Sequence, residues 1–168
     1  MSFKIGCAIW AYKGWVGDLF PPTTSASQFL QVYSKRLTTV ECNSTFYTLP
    51  TPGMLDRWAK ETPAAFEFCP KLPRTFTHDG ALQPKVEAAR QCIELMKRLG
   101  QRLGPIFAQL PPTYGPQFFP DLKVFLNGLS QCGVRLALEV RHPQWFEPTH
   151  ATQLNALLSD LGMGRVLL

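Results

Sequence analysis

The sequence lacks the features that define several common classes of protein. No stretch approaches the roughly 18 uninterrupted apolar residues of a membrane span, and the N-terminal segment has no apolar run typical of a signal peptide. The five cysteines are an odd number, without a C-x-x-C pair or zinc-like spacing, which predicts free thiols and no metal bound by cysteine. We therefore expect a soluble cytoplasmic protein with no membrane contact.

Motifs that bind phosphates or carry out nucleophilic catalysis are also missing. The chain has no Walker loop, no glycine-rich fingerprint after its first predicted strand, no nucleophile elbow and no H-E-x-x-H. We accordingly predict no resident cofactor and no metal. The basic residues are scattered and give a net charge of +5, a modest excess that helps an anionic ligand approach and only weakly supports nucleic-acid binding.

The residues that are present fit one globular domain over 1–168. Of the 168 residues, 45% are hydrophobic, which is enough for a core, and no repeat or linker divides the chain. Nothing in the sequence indicates the oligomeric state.

Short apolar runs alternate with amphipathic segments, a rhythm that predicts a parallel sheet covered by helices. The predicted strands are 4–10, 39–43, 66–71, 105–110, 134–141 and 164–168. The predicted helices are 25–36, 51–61, 84–99, 118–129 and 149–161. We interpret the chain as an α/β fold, a TIM-like (β/α) barrel with about five and a half of its eight units. A self-sufficient open doubly wound sheet is the alternative, and the missing glycine-rich fingerprint does not favour it.

Two carboxylates lie inside otherwise apolar strands, Glu41 and Glu139. A buried carboxylate needs a cation or several hydrogen bonds, so each is either a catalytic acid or base or one half of an internal ion pair. Alternation along the second strand predicts that Glu41 and Asn43 point inward while Cys42 points outward. Glu139 and Glu41 are our candidate catalytic residues.

Further polar and aromatic residues follow the strand ends, where ligands bind in parallel α/β folds. The candidate substrate-binding residues are Trp10, Tyr12, Asn43, Tyr47, Lys71, Arg74, His78, Gln109, Arg141 and His142. Four of them, Lys71, Arg74, Arg141 and His142, could together clamp a phosphate or carboxylate, and the alternative is a set of solvated loop charges. Trp10 and Tyr47 are expected to line a pocket.

The strand-end segments occur as a set of ordered motifs. These are Gly6-x-x-x-Trp10-x-Tyr12-x-Gly14-Trp15, Val40-Glu41-Cys42-Asn43-Ser44-Thr45-Phe46-Tyr47, Lys71-x-Pro73-Arg74-x-x-x-His78, Gln109-Leu110-Pro111-Pro112 and Glu139-Val140-Arg141-His142-Pro143-x-Trp145-Phe146. In this order they resemble the YecE-like family, domain of unknown function number 72. The resemblance implies a TIM-like barrel of roughly 230 to 280 residues, hence a missing C-terminal third, and a shared cleft built from these residues. It implies no activity, because the family has none established.

Two functional hypotheses follow. The first is an acid-base enzyme for a small anionic or sugar-like substrate, with Glu139 or Glu41 as base and Lys71, Arg74 and Arg141 holding the anion. The second is a non-catalytic module that binds a phosphorylated metabolite or nucleic acid through the same basic rim. A metal-dependent form of the first would use Glu41, Glu139 and His142 as ligands, although their spacing does not require it.

Overall fold

The structure is a computed structural model that describes residues 3–167. Its strands are β1 (Gly6–Cys7), β2 (Thr39–Cys42), β3 (Glu67–Pro70), β4 (Ile106–Gln109), β5 (Leu136–Glu139) and β6 (Gly164–Arg165). Its α-helices are α1 (Phe29–Arg36), α2 (Ser44–Tyr47), α3 (Pro52–Glu61), α4 (Arg74–Thr77), α5 (Val86–Met96), α6 (Phe119–Ser130) and α7 (Pro148–Asp160). Short 3-10 segments occupy Lys13–Trp15, Ala26–Gln28, Gln83–Lys85, Lys97–Arg102, Pro116–Phe118 and Pro143–Phe146.

The strands form two three-stranded parallel sheets, ordered β1-β2-β3 and β4-β5-β6. Between β3 and β4 two isolated parallel bridges, Phe68 with Leu103 and Lys71 with Phe107, join the sheets. Spatial order therefore follows chain order, as expected when each parallel pair is linked by a helical crossover. The predicted mixed α/β fold with a parallel arrangement of strands is confirmed.

The outer face of each sheet packs under the helices. Burial alternates along β2, where Val40 and Cys42 are buried and Glu41 is only partly so. Successive strand side chains point to opposite faces, so Cys42 packs into the hydrophobic core and Glu41 lies on the opposite face of the sheet. The predicted opposite orientation of these two side chains is confirmed.

Local sequence chemistry sets the helix boundaries. Helix α3 begins at Pro52, and the Thr51 hydroxyl accepts a hydrogen bond from the Met54 amide at 3.3 Å, the expected N-cap arrangement. The same helix buries Leu55 and Trp58 against the sheet. Helix α5 is shorter than the predicted 84–99 because 3-10 segments flank it, and the second contains Gly100 at a φ of 56°.

The fifth and sixth strands are shorter than the predicted 134–141 and 164–168, at Leu136–Glu139 and Gly164–Arg165. Two further predicted boundaries were wrong for reasons that side-chain contacts explain. The strand predicted over 4–10 pairs with β2 only at Gly6 and Cys7. Beyond them the side chain of Asn43 donates to the Ala8 carbonyl at 3.3 Å and replaces the backbone ladder. The loop predicted at 44–47 is the helical turn α2, in which the Thr45 hydroxyl donates to the Cys42 carbonyl at 2.8 Å. Leu168, the end of the predicted sixth strand, lies outside the described residues.

All five cysteines are free thiols. Among residues 3–167, none of the helices combines the length and the apolar character needed to cross a membrane.

Candidate functional site

A cavity of about 640 Å³ opens on the face of the sheets that the helices do not cover. Six polar side chains from the ends of four successive strands line it: Glu41, Asn43, Lys71, Gln109, Glu139 and Arg141. Gln109 and Glu139 are the last residues of β4 and β5, and Lys71 directly follows β3. Because parallel strands end on one side of a sheet, residues far apart in sequence meet here.

Glu139 is the most enclosed carboxylate of the cavity, with 4% of its surface exposed. Its Oε1 accepts hydrogen bonds from Arg141 Nε at 2.7 Å and from Gln109 Nε2. Both donors hold the same oxygen, and one of them is charged, so the carboxylate is fixed in orientation. Arg141 remains 44% exposed at its side chain and reaches from this pair toward solvent.

Lys71 is the buried cation of the cavity and is only 7% exposed. Its Nζ donates to Asn43 Oδ1 at 3.4 Å and lies 4.5 Å from the centre of the Phe46 ring and 5.6 Å from that of Phe107. Burial lowers the pKa of Lys71 below its ordinary value of 10.5, while the charges of Glu139 and Glu41 oppose the shift. The removal of water therefore outweighs the nearby carboxylates.

Thr45 fixes the backbone of Lys71, from which the side chain extends into the cavity. The Thr45 hydroxyl accepts from the Lys71 amide at 3.0 Å, and its single proton is shared between the carbonyls of Lys71 and Cys42, 2.7 Å and 2.8 Å away. Thr45 is buried, with 1% exposed. Sequence reasoning assigned no role to Thr45, and its only signal was the position between two strand ends.

The side chain of Glu41 is less constrained than that of Glu139. It is partly exposed in the cavity, and within residues 3–167 its side chain makes no salt bridge. A carboxylate without a fixed partner can approach a ligand, so Glu41 is the more available proton acceptor.

A second cavity of about 310 Å³ adjoins the first and is lined by Trp10 and Tyr47. Glu41 and Asn43 line both cavities. The Trp10 ring packs edge-on against Trp58, with ring centres 5.0 Å apart. The Trp10 ring thus packs against the core on one side and lines the second cavity on the other, where a pocket-lining residue was expected.

Four other predicted binding residues do not line the main cavity: Tyr12, Arg74, His78 and His142. Tyr12 packs edge-on against Trp15 at 5.4 Å and is 53% exposed. His142 is turned by its own loop, because its Nδ1 accepts from the Gln144 amide at 3.3 Å. The cationic clamp of four residues suggested by sequence is therefore reduced to two, Lys71 and Arg141.

Arg74 and His78 lie on the segment after Lys71. Arg74 is exposed at the first residue of α4, and His78 lines a separate cavity of about 400 Å³ beside Asp121. Burial and the charge of Arg74 lower the pKa of His78.

The metal-dependent alternative gains no support from this geometry. His142 lies outside the cavity that holds Glu41 and Glu139. Across the described part of the chain, no group of three or more His, Cys, Asp or Glu side chains is arranged to bind a metal ion.

Comparison with known proteins places the chain beside one family. Residues 4–168 match the family model described as "Protein of unknown function DUF72". The UPF0759 protein YecE of Escherichia coli K12 is 34% identical over 165 residues, which cover 98% of this chain and 58% of that protein. The UPF0759 protein YunF of Bacillus subtilis 168 is 27% identical, over 89% of this chain and 56% of its own length. The chain thus spans less than three-fifths of these curated relatives.

Solved structures of the same family share the fold. A DUF72 family protein from Enterococcus faecalis V583 superposes with a TM-score of 0.76 at 16% identity, covering 96% of this chain and 59% of that one. Another from Thermotoga maritima MSB8 gives a TM-score of 0.69 at 23% identity, covering 96% and 63%.

Proposed function

The chain belongs to the DUF72 family, and from that premise we propose that its strand-end cavity is an acid-base active site for a small anionic or sugar-like substrate. One observation carries the proposal: six polar side chains from four strands surround a single cavity of about 640 Å³. A mostly formed cleft with a few convergent polar groups is the usual form of a small-molecule site.

The residues divide into three roles. Glu41, without a fixed partner, is the proton acceptor or donor. Glu139 and Gln109 orient Arg141, since Glu139 Oε1 accepts from both. Arg141 uses Nε for that bond, so its terminal nitrogens are directed to the carboxylate or phosphate of the substrate.

Ligand-induced thermal shift tests the anion-binding half of the proposal. A panel of phosphorylated, carboxylated and neutral sugars is screened against the chain, and each shift is measured against the same variant without ligand. We expect anionic compounds to stabilise the unmodified chain, with the effect lost in Arg141→Gln. The matched control is Arg57→Gln, because Arg57 is an exposed helix residue that pairs with Glu61 on the same helix. This variant should behave like the unmodified chain. Equal responses to neutral and anionic compounds would contradict the proposal.

Turnover separates an enzyme from a binding module. With a compound that binds and reacts, Glu41→Gln should abolish turnover while binding persists, and Glu87→Gln, an exposed control on α5, should change neither. If compounds bind and no turnover is found, the second hypothesis replaces the first: a non-catalytic module for a phosphorylated metabolite. Binding of a single-stranded oligonucleotide with competition by phosphate would indicate the nucleic-acid form of that module.

We further propose that the six strands are part of a TIM-like barrel. The same cavity is lined by Gly6 and Cys7 of β1 and by Val166 and Leu167 after β6, so the sheets curve toward each other. A flat sheet would separate β1 from β6 by five strand spacings, about 24 Å. An eight-stranded barrel closes the sheet on itself and brings the same strands much closer together than that. Spin labels at the exposed Ile5 and Leu167 distinguish the two by pulsed electron resonance, and the longer distance would refute the barrel.

A cytoplasmic location is also part of the proposal. Five free cysteines are typical of a reducing compartment. Cell fractionation of the native host tests this, and recovery outside the cytoplasm would contradict it.

A further inference from the structure

We propose that Lys71 is an imine-forming amine, and that the cavity takes a small aldehyde or α-keto acid whose carboxylate or phosphate is held by Arg141. This inference rests on the proposed acid-base function and specifies its substrate class. Its basis is the placement of one buried lysine amine inside a polar cavity, with no salt bridge to the residues that the structure describes.

Lys71 differs from other lysines of the chain in its surroundings. The ammonium groups of Lys4 and Lys97 lie 3.7 Å and 2.6 Å from glutamate oxygens. Lys71 has no salt bridge, as is true of several exposed lysines, but among the lysines of residues 3–167 it alone is buried. Its ammonium has a single long hydrogen bond, to Asn43. A buried ammonium with so little compensation is poorly stabilised, which favours the free amine.

The walls around the amine suit a covalent step. The faces of Phe46 and Phe107 limit the access of water, and a lysine desolvated in an apolar wall is a recognised nucleophile. The lowered pKa of Lys71, caused first by burial, acts in the same direction. The two aromatic faces also attract the charged form and act against the effect of burial.

The acid-base groups needed for imine formation line the same cavity. The lone pair of Lys71 Nζ forms a bond to the carbonyl carbon while the carbonyl electron pair moves to oxygen, and Glu41 relays one proton from nitrogen to that oxygen to give the carbinolamine. Glu41 then donates a proton to the hydroxyl, which leaves as water while the nitrogen lone pair forms the C=N bond. The second nitrogen proton returns from the iminium to Glu41, so both protons lost by the amine end in the released water. The step consumes one amine and one carbonyl and releases one water, so it needs no oxidant or reductant.

Reductive trapping with glyoxylate tests the inference. Glyoxylate is a small aldehyde with a carboxylate, and cyanoborohydride reduces its imine to a stable carboxymethyl-lysine. The folded chain is treated near neutral pH, and the modification of each lysine is quantified by peptide mass spectrometry. The internal references are Lys60 and Lys123, which are exposed. We expect Lys71 to be modified about tenfold or more faster than either, because the anion holds the carbonyl beside the amine.

Five controls tie the result to the cavity. The preference should disappear in urea, persist in Arg57→Gln and fall severalfold in Arg141→Gln. Propionaldehyde, a neutral aldehyde, should show a weaker preference for Lys71. In Lys71→Arg the charge remains and the preferential modification is lost, which verifies the peptide assignment.

The outcomes separate this inference from the proposed function. Modification of Lys71 no faster than that of Lys60 overturns the imine, whatever the cause. If anionic compounds still stabilise the chain through Arg141 in that case, the acid-base proposal survives. Preferential modification that is unchanged by Arg141→Gln overturns the assignment of the anion site.

Discussion

The pairing of Glu139 with Arg141 gives the sharpest prediction for stability, through the substitution Arg141→Met. Methionine keeps an unbranched apolar stem and removes the guanidinium. Glu139, 4% exposed, would then keep one neutral donor, Gln109. A buried carboxylate that loses its charged partner bears an uncompensated desolvation cost.

The expected magnitude follows from geometry and exposure. A hydrogen bond to a charged group contributes about 1.5–3 kcal/mol. The Arg141 side chain is 44% exposed, so solvent screening reduces this to about 1–2 kcal/mol. In a chain of this size each kcal/mol corresponds to about 2–4 °C of melting temperature.

Urea unfolding followed by tryptophan fluorescence measures the effect, since Trp145 is fully buried. The matched control is Arg57→Met, because the Arg57–Glu61 pair is exposed and 3.8 Å long, and its loss should change the unfolding free energy by less than about 0.5 kcal/mol. Adding Glu139→Gln to Arg141→Met should restore part of the lost stability, because the unpaired carboxylate is gone. A double variant no more stable than Arg141→Met would refute the reasoning.

Two further predictions concern the pH dependence of stability. Lys71→Met should raise the unfolding free energy by about 1 kcal/mol near neutral pH, because a poorly compensated buried cation is removed. Burial holds the folded pKa of Lys71 below the ordinary 10.5, so between these two pKa values the unfolded chain binds more protons than the folded chain. The stability advantage of Lys71→Met should therefore shrink as pH rises through the folded pKa toward 10.5. Urea unfolding at several alkaline pH values checks this, and a difference in unfolding free energy that does not change with pH contradicts it. Asp121→Asn should lower the unfolding free energy by about 1–2 kcal/mol at neutral pH, because Asp121 accepts from the Leu82 and Gln83 amides and the Tyr114 hydroxyl. Burial acts to raise the pKa of Asp121, but the three hydrogen bonds outweigh it and hold the pKa below 3.8. The stabilisation by Asp121 should therefore be lost as pH falls through the folded pKa. A lower unfolding free energy of Asp121→Asn that persists in acid would contradict this account.

The parts of the fold that depend on neighbours in sequence could be predicted. The helix predicted over 51–61 matches α3 to within a residue, because its start signal, Pro52 in the first turn, acts within a few positions of the chain. The first strand could not be delimited in the same way. Its length depends on where Asn43, 35 residues from Ala8, replaces the backbone ladder, and such a contact leaves no local pattern.

The candidate site could likewise be predicted only where local sequence decides the direction of a side chain. Alternation within a strand predicted that Glu41 and Cys42 lie on opposite faces. The side chains of residues beyond a strand end point in directions set by the loop, and these depend on hydrogen bonds within the loop. An example is His142, whose Nδ1 accepts from the Gln144 amide. For that reason Lys71 and Arg141 line the cavity, while Arg74 and His142, equally basic or polar in sequence, do not.

A crystal structure of the chain with the tightest-binding anion of the thermal-shift panel tests the shared cavity most directly. The account predicts electron density for the anion within hydrogen-bond distance of the Arg141 guanidinium and beside Lys71 Nζ. Density for the ligand at another place, with the side chains of Lys71 and Arg141 unchanged and free of contact, would contradict it.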